Sequence, residues 1–506
     1  MTTPENQAEA QGGQVEQELS VLDSLLNKVD LAAPSEPHSK KSTVENEDAG
    51  MRLATAVNHL ISELTAQGQK LDKLDKPMIE SVISGIDQKL SEQVSEVLHN
   101  EKFQELESAW RGLKYLVDRT NFRANIKVEV LNCSKEDLRS DLEDAPELLQ
   151  SGLFHHIYKQ EYDQAGGQPI GSVIGNYFFD QSSKDVAMMK NLSHVAAGCH
   201  APFIAAANDK MFGLNSATDL HKVKDMEELF EQQEYTKWRS FRDSEDSRYL
   251  GLTYPKFLLR EPYNPGNHTM RDFEFHENVA GEDHDKFLWG NASIAFASRL
   301  TQSFANNGWC VNIRGPQAGG MVEDLPIFHY EDQGEMKSKI PTEVAISDRV
   351  ELELAESGFM PLTFYKNSDY ACFFSAQSSQ KPKKYTTPEA TANAKLAANL
   401  PYLFLASRLS HYLKVIQREN IGSAKEKDDL QKELDEWIQR LVTKMPNPDP
   451  DLKARRPLKD AKIIVSDIEE SPGWYSVEMF IRPHFQMEGM SVDMSLVSKM
   501  PSGKES

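Results

Sequence analysis

Residues 477–496 read VEMFIRPHFQMEGMSVDMSL, two alternating runs joined at one glycine. In the first run Val477, Met479, Ile481, Phe485 and Met487 share a face with Pro483, and Glu478, Arg482, His484, Gln486 and Glu488 take the other. After Gly489 the parity reverses. Met490, Val492, Met494 and Leu496 are apolar there, and Ser491, Asp493 and Ser495 are polar. Period-2 alternation is the pattern of a half-buried strand, and a parity change at glycine marks a bulge or bend. Only a short polar stretch follows Leu496, so the backbone groups of the second strand need an edge to pair with, in this chain or a neighbouring one.

Working back from these strands, 463–468 reads as another strand, with a turn at Ser471, Pro472 and Gly473. A helix over 426–445 places Leu430, Leu434, Trp437, Ile438, Leu441 and Met445 on one face. Asp428, Asp429, Glu433 and Glu436 crowd its first half, where acids favour the helix dipole. Prolines 446, 448 and 450 follow it. Before it, Thr387, Pro388 and Glu389 open a helix that is interrupted at Pro401 and resumes through Leu405, Leu409, Leu413 and Ile416 to a stop near Gly422.

The middle of the chain alternates strand and helix. Residues 126–131 and 170–179 read as strands, as does the apolar run 201–207. Ser134 with Asp137, and Ser182 with Asp185, are capping-box starts for the helices between. The pattern predicts an α/β fold around a mixed sheet. Residues 249–374 mix short strands with loops.

Toward the N-terminus, two one-sided helices stand out. One carries Ile79, Val82, Ile83, Ile86, Leu90, Val94 and Val97; the other Phe103, Leu106, Trp110, Leu113 and Val117. Stripes this long need something to bury against, each other or a second subunit. A further helix is expected at 53–64. Residues 1–50 are linker-like, with a short amphipathic stripe from Leu19 to Val29.

Bulk properties narrow the function. A net charge of −22 argues against non-specific nucleic-acid binding, which needs clustered Lys and Arg. Cys133, Cys199, Cys310 and Cys372 are far apart and form no CxxC pair, which predicts buried thiols in a reducing cytoplasm. No run suggests a signal peptide or membrane span. Gly166–Gly167 and Gly319–Gly320 lack the spacing of a phosphate loop and read as tight turns or close backbone packing. His155–His156, Cys199–His200 and Asp283–His284–Asp285 lack the i, i+4 spacing of helical metal ligands. No nucleophile motif occurs. These observations predict no catalytic, cofactor or metal site.

Several segments together resemble the large subunit of the type VI secretion contractile sheath, the TssC/VipB family. They are FQELESAWRGLKYLV (103–117), GGQPIGSVIGNYFF (166–179), LGLTYPKFLLREPY (250–263), LWGNASIAF (288–296), GWCVNIRG (308–315), PTEVAISDR (341–349), SRLSHYLKVIQRENIGS (407–423) and IRPHFQMEGMSVDMSLVS (481–498). The resemblance runs from about residue 51 onward. It departs at Asn176, where an acid is expected.

The resemblance implies a non-enzymatic, phage-tail-sheath-like structural protein of the cytoplasm. Such subunits pair with a small sheath subunit of the TssB/VipA type and polymerise with copies of themselves around the Hcp inner tube, on a baseplate. A ClpV-type ATPase disassembles the contracted sheath, mainly through the small subunit. No nucleic-acid contact or direct membrane insertion is implied. On this reading the chain divides into a flexible linker (1–50), a helical region for small-subunit pairing (51–125), an α/β outer region (126–385) and a C-terminal core with the tube-facing helix and shared strands (386–506). The inter-subunit strand would use Met490, Val492, Met494 and Leu496 with Val477, Met479 and Ile481, and 21–31 as a second linker element. The tube-facing helix would present Asp428, Asp429, Glu433 and Glu436. The small-subunit interface would use Val82, Ile86, Leu90, Leu106 and Trp110. The alternatives are a phage-tail or tailocin sheath protein, and an acidic cytosolic enzyme with a dispersed site.

Overall fold

The computed structural model describes residues 76–268, 273–468 and 475–484. The linker and helix expected at 1–64, the turn at Ser471–Gly473 and the strand carrying Met490, Val492, Met494 and Leu496 lie outside the described residues, as does the side chain of Val82.

The described chain begins with helix α1, Lys76–Leu98, and helix α2, Glu101–Asp118. Asn100 separates them and caps α2, its side chain accepting from the backbone of Lys102 at 3.2 Å. The alternating segment 126–131 corrects one expectation: it joins no ladder, and Val130 and Leu131 are exposed. It shares a small apolar cluster with strand β1, Val173–Phe179. There Ser293, Asn291 and Lys135 side chains already occupy the carbonyls of Gly175, Tyr177 and Phe178. A second strand would find those acceptors taken.

Both expected serine N-caps form, without the reciprocal half of a capping box at Ser182, whose own N–H donates to Asp180. Ser134 accepts from the Asp137 backbone at 3.0 Å and opens α3, Lys135–Asp144. Ser182 accepts from Asp185 at 3.3 Å and opens α4, Ser183–Cys199. Strand β2 is Phe203–Ala207, and after the short helices α5 (Met226–Glu231) and α6 (Thr236–Arg242) comes β3, Leu250–Tyr254. Strands β4 (Phe257–Leu258) and β5 (Trp289–Gly290) pair antiparallel ahead of α7, Ala292–Asn307. Strand β6 (Met321–Val322) precedes a hairpin of β7 (Phe328–Asp332) and β8 (Glu335–Lys339), then α8 (Asp348–Glu356), β9 (Phe359–Phe364) and β10 (Ala371–Phe373).

The main sheet has the order β1-β2-β3-β9-β10-β6. Its first four strands run parallel and its last two antiparallel, the expected mixed sheet. Strands β2 and β3 are buried at every residue, so both faces are covered. Small residues in ASIAFAS let α7 lie close against this sheet. The Gly319–Gly320 pair works by close approach: a Cβ on Gly320 would sit 2.5 Å from the Phe373 carbonyl and from the Gly315 nitrogen.

The C-terminal part contains α9 (Pro388–Ala397), α10 (Leu400–Glu419), α11 (Lys427–Gln439), α12 (Pro450–Arg455), β11 (Leu458–Asp467) and β12 (Tyr475–Pro483). Helix α10 serves two cores. Leu400, Leu403 and Phe404 belong to the main one, and Leu405 and Leu409 to a second one with Leu430, Leu434 and Ile438 of α11 and Ile463 and Val465 of β11. Helix α11 ends six residues earlier than the sequence pattern suggests. The chain leaves it so that Val442 bridges Leu458 and the Thr443 N–H donates to the Leu458 carbonyl at 2.9 Å. Met445, expected on its apolar face, is exposed.

Candidate assembly surfaces

Helix α1 is inside out. Its Ser91 and Ser95 are buried and accept from the backbone of His276 (3.4 Å) and Asn278 (3.0 Å). Leu90, Val94 and Val97, about a third of a turn round from these serines, are exposed, and so are Ile83 and Ile86. An amphipathic helix that docks by serines and shows its branched residues to water has its apolar face on the wrong side for a free monomer. Helix α2 has the same character on one side. Gly112 and Leu116 pack against Ile294 of α7, while Phe103, Leu106, Trp110 and Val117 are exposed, Trp110 by 66%.

An ionic network holds both helices to the body. Arg260 is buried and reaches Glu277 at 2.6 Å and Glu107 of α2 at 2.9 Å. Glu107 also takes Arg111 at 2.6 Å, and Glu277 meets His99, just beyond α1, at 3.1 Å. Burial alone would raise the Glu107 carboxyl, but the two guanidiniums outweigh it and hold it below the usual value. Burial lowers Arg260, and its two carboxylates more than reverse that. The guanidinium of Arg260 also lies over the Tyr263 ring, its Cζ 4.3 Å from the centroid.

The second surface is the C-terminal sheet. Strands β11 and β12 pair antiparallel from Leu458↔Pro483 to Asp467↔Tyr475. The expected alternation holds: Val477, Met479 and Ile481 pack on the second core, and Ser476, Glu478, Phe480 and Arg482 are exposed. On α11, Asp428, Asp429 and Glu436 are exposed. Glu433 is engaged within the chain, with Lys425 at 2.7 Å and Asn420 at 3.2 Å, and so ties the helix to the loop before it.

Polar clusters elsewhere serve packing. Glu343 is buried and meets Lys256 and His284, each at 3.1 Å. Burial would raise it, but those partners keep it low. Nearby Asp209 accepts from Tyr254 at 3.1 Å and is raised by burial and by Glu343. An open polar cleft of about 490 Å³ lies between α7, the 312–323 loop and α12. Among the described residues no group of three His, Cys, Asp or Glu could hold a metal ion. No described helix is long and apolar enough to cross a membrane. The four cysteines are free.

Of the residues expected at assembly contacts, the structure exposes Ile86, Leu90, Leu106 and Trp110 and brings Val477, Met479 and Ile481 onto one strand. Sequence reasoning missed Ser91, Ser95, Arg260 and Glu277. The i, i+4 serines beside an apolar stripe were a usable signal; the pairing of Arg260 with residues 153 positions before it and 17 after it was not.

Two family models cover most of the chain. The EvpB/VC_A0108 tail sheath N-terminal domain matches residues 80–380, and the EvpB/VC_A0108 tail sheath gpW/gp25-like domain matches 389–500. The chain is 44% identical over 465 residues to the type VI secretion system sheath protein TssC1 of Pseudomonas aeruginosa, covering 91% of this chain and 93% of that one. Two solved structures superpose loosely. They are the anti-feeding prophage baseplate (TM-score 0.38, 9% identity, 74% of this chain and 83% of that one) and the same particle's contracted helical sheath (TM-score 0.33, 11% identity, 64% and 70%). The assignment therefore rests on sequence, over nearly the full length of both proteins: this chain belongs to the TssC/VipB family and is a structural subunit of a type VI secretion contractile sheath.

Proposed function

We propose that the chain pairs with a small sheath subunit through the exposed stripes of α1 and α2, and that the pairs polymerise in the cytoplasm around an Hcp-type inner tube. The observation that carries this reading is the inverted docking of α1. Serines hold it to its own body, which leaves Ile86 and Leu90 for another chain. Val82, in the same heptad-like row, and Leu106 and Trp110 of α2 join that contact. Nothing in the role calls for chemistry at a bound group. The work of firing is stored in the lattice, and a ClpV-type ATPase resets it, mainly through the small subunit.

Copies of the chain are joined by strand addition at β12, with Val477, Met479 and Ile481 on the receiving strand and Met490, Val492, Met494 and Leu496 on the incoming one. Asp428, Asp429 and Glu436 of α11 face the tube; Glu433 supports the helix. In this division 1–50 is a linker, 51–125 the pairing region, 126–385 the outer body and 386–506 the inner core, and the lattice starts from a baseplate.

The test is co-expression with the small sheath subunit, followed by negative-stain electron microscopy. Hollow tubes of regular width are expected. Two folded proteins that elute separately and never form tubes would overturn the reading.

A further inference from the structure

The two-stranded sheet has two edges, and the chain treats them differently. Along β11, every second residue turns its backbone groups away from β12, and each of these residues has at least one of those groups met. Leu458 bonds to the chain leaving α11: its carbonyl accepts from Thr443 at 2.9 Å and its N–H donates to Leu441. The register shifts after Leu458, and the outward residues become Ala461, Ile463 and Val465. Gln439 donates to the Ala461 carbonyl at 3.1 Å. Gln431 donates to the Ile463 carbonyl at 2.7 Å and accepts from the Val465 N–H at 2.8 Å. A carbonyl and an N–H two residues apart fix which end of this amide is oxygen. Asp435, one turn on, takes the other amide proton of Gln431 at 2.7 Å and holds the group in place. The two glutamines thus imitate the ladder bonds of a third strand.

Among the described residues, strand β12 has no such cover. Since the outward set on β11 is Ala461, Ile463 and Val465, paired with Ile481, Met479 and Val477, the backbone groups of those three β12 residues also point away from their partner strand. Among the described residues no side chain bonds to them. Their own side chains pack against the second core.

We propose that Gln431 and Gln439 close the β11 edge against strand addition, so that the incoming strand of a second copy, residues 490–496, is accepted at β12 alone. The proposal rests on the strand-exchange reading above and adds a direction to it. An unguarded second edge would let subunits add strands on both sides, which branches or fuses a polymer that must grow one way. Residues 490–496 fit the open side: the segment alternates apolar and polar, as a strand laid on a half-buried sheet must.

Amide-resolved hydrogen exchange on the full chain with its small subunit, before and after assembly, decides between the edges. Assembly is expected to slow Val477, Met479 and Ile481 by about tenfold or more and to leave Val465 unchanged, because Gln431 already covers it. Slowing at Val465 or Ala461 as well, or there alone, overturns the glutamine gate while strand exchange stands. Slowing at neither edge overturns strand exchange and the gate with it. As a second arm, the Q431L/Q439L heterodimer should give laterally fused or branched tubes. Regular wild-type tubes from a folded variant overturn the proposal, and if the variant does not fold, exchange in the wild-type protein still decides.

Discussion

Replacing Trp110 and Leu106 by alanine separates a partner-seeking face from one that stabilises the chain itself. Trp110 is 66% exposed and Leu106 56%. A tryptophan offers roughly 250 Å² to bury, so about 160 Å² of Trp110 remains for a partner to cover. At about 25 cal/mol per Å² that area is worth up to about 4 kcal/mol, with about 1 kcal/mol more from Leu106. Binding recovers only part of such sums, so the loss for the W110A change is expected at about 2–4 kcal/mol. That is about 30- to 1,000-fold in affinity. Roughly 85 Å² of Trp110 is already covered within the chain, so the W110A change should cost the free chain at most about 1–2 kcal/mol, less than the binding loss.

The assay is titration of purified chain against labelled small subunit, with a denaturant melt of the chain alone as the control. Unchanged binding within about threefold, which is about 0.6 kcal/mol, would refute the reasoning. So would a stability loss as large as the binding loss, since Trp110 would then be packing within its own chain. As an internal contrast, S95L should destabilise the free chain, because Ser95 is the buried side of α1 and accepts the Asn278 N–H.

Three further outcomes follow from particular groups. Arg260→Met leaves buried Glu277 without its guanidinium, while Glu107 keeps Arg111, and should cost about 3–5 kcal/mol in a denaturant melt; a loss under about 1 kcal/mol would mean that the network is solvated. His411 of α10 is buried, with its Nε2 3.1 Å from the Cys199 carbonyl, and burial, then the charges of Arg408 and Lys414 and the neighbouring His200, hold it down to about 4. Its folded value lies below the unfolded 6.5, so the unfolded chain takes up the proton first. Stability should therefore fall by about 3 kcal/mol as pH drops from about 6.5 to 4, and H411Q should flatten that slope. Reversing Asp428, Asp429 and Glu436 to Lys should spare the small-subunit complex yet impair assembly on the inner tube, read by co-sedimentation; normal tubes around the inner tube would remove α11 from that contact.

Much of the fold was legible because its signals are local. Ser134, Ser182 and Pro388 mark helix starts through their own backbone chemistry, and the 475–483 alternation needs only the pleat. What failed was decided by neighbours. Residues 126–131 have the composition of a strand, but the carbonyls of β1 beside them were taken by side chains from two other elements. Helix α11 could have continued to Met445; the chain turned away because Leu458 offered a ladder. The 3.6-residue period of α1 and α2 announces an apolar face without saying whose core it enters. The docked serines show which side of α1 meets the described body.

The open surfaces are connected through the interior. Val477, Met479 and Ile481 rest on the second core, which includes Leu405 and Leu409 of α10. The first turns of α10 enter the main core through Leu400 and Leu403, and that core holds Ala295 and Phe296 of α7. Ile294 of the same helix meets Gly112 and Leu116 of α2. Interiors packed to crystal-like density transmit displacement rather than absorb it. A pull on the β12 edge therefore has a continuous path, through α10 and α7, to the helix that carries Trp110. On the proposed reading the attachment points are thus fixed to one packed body, the α1–α2 face by the Arg260 network and the β12 edge by the two-core helix α10.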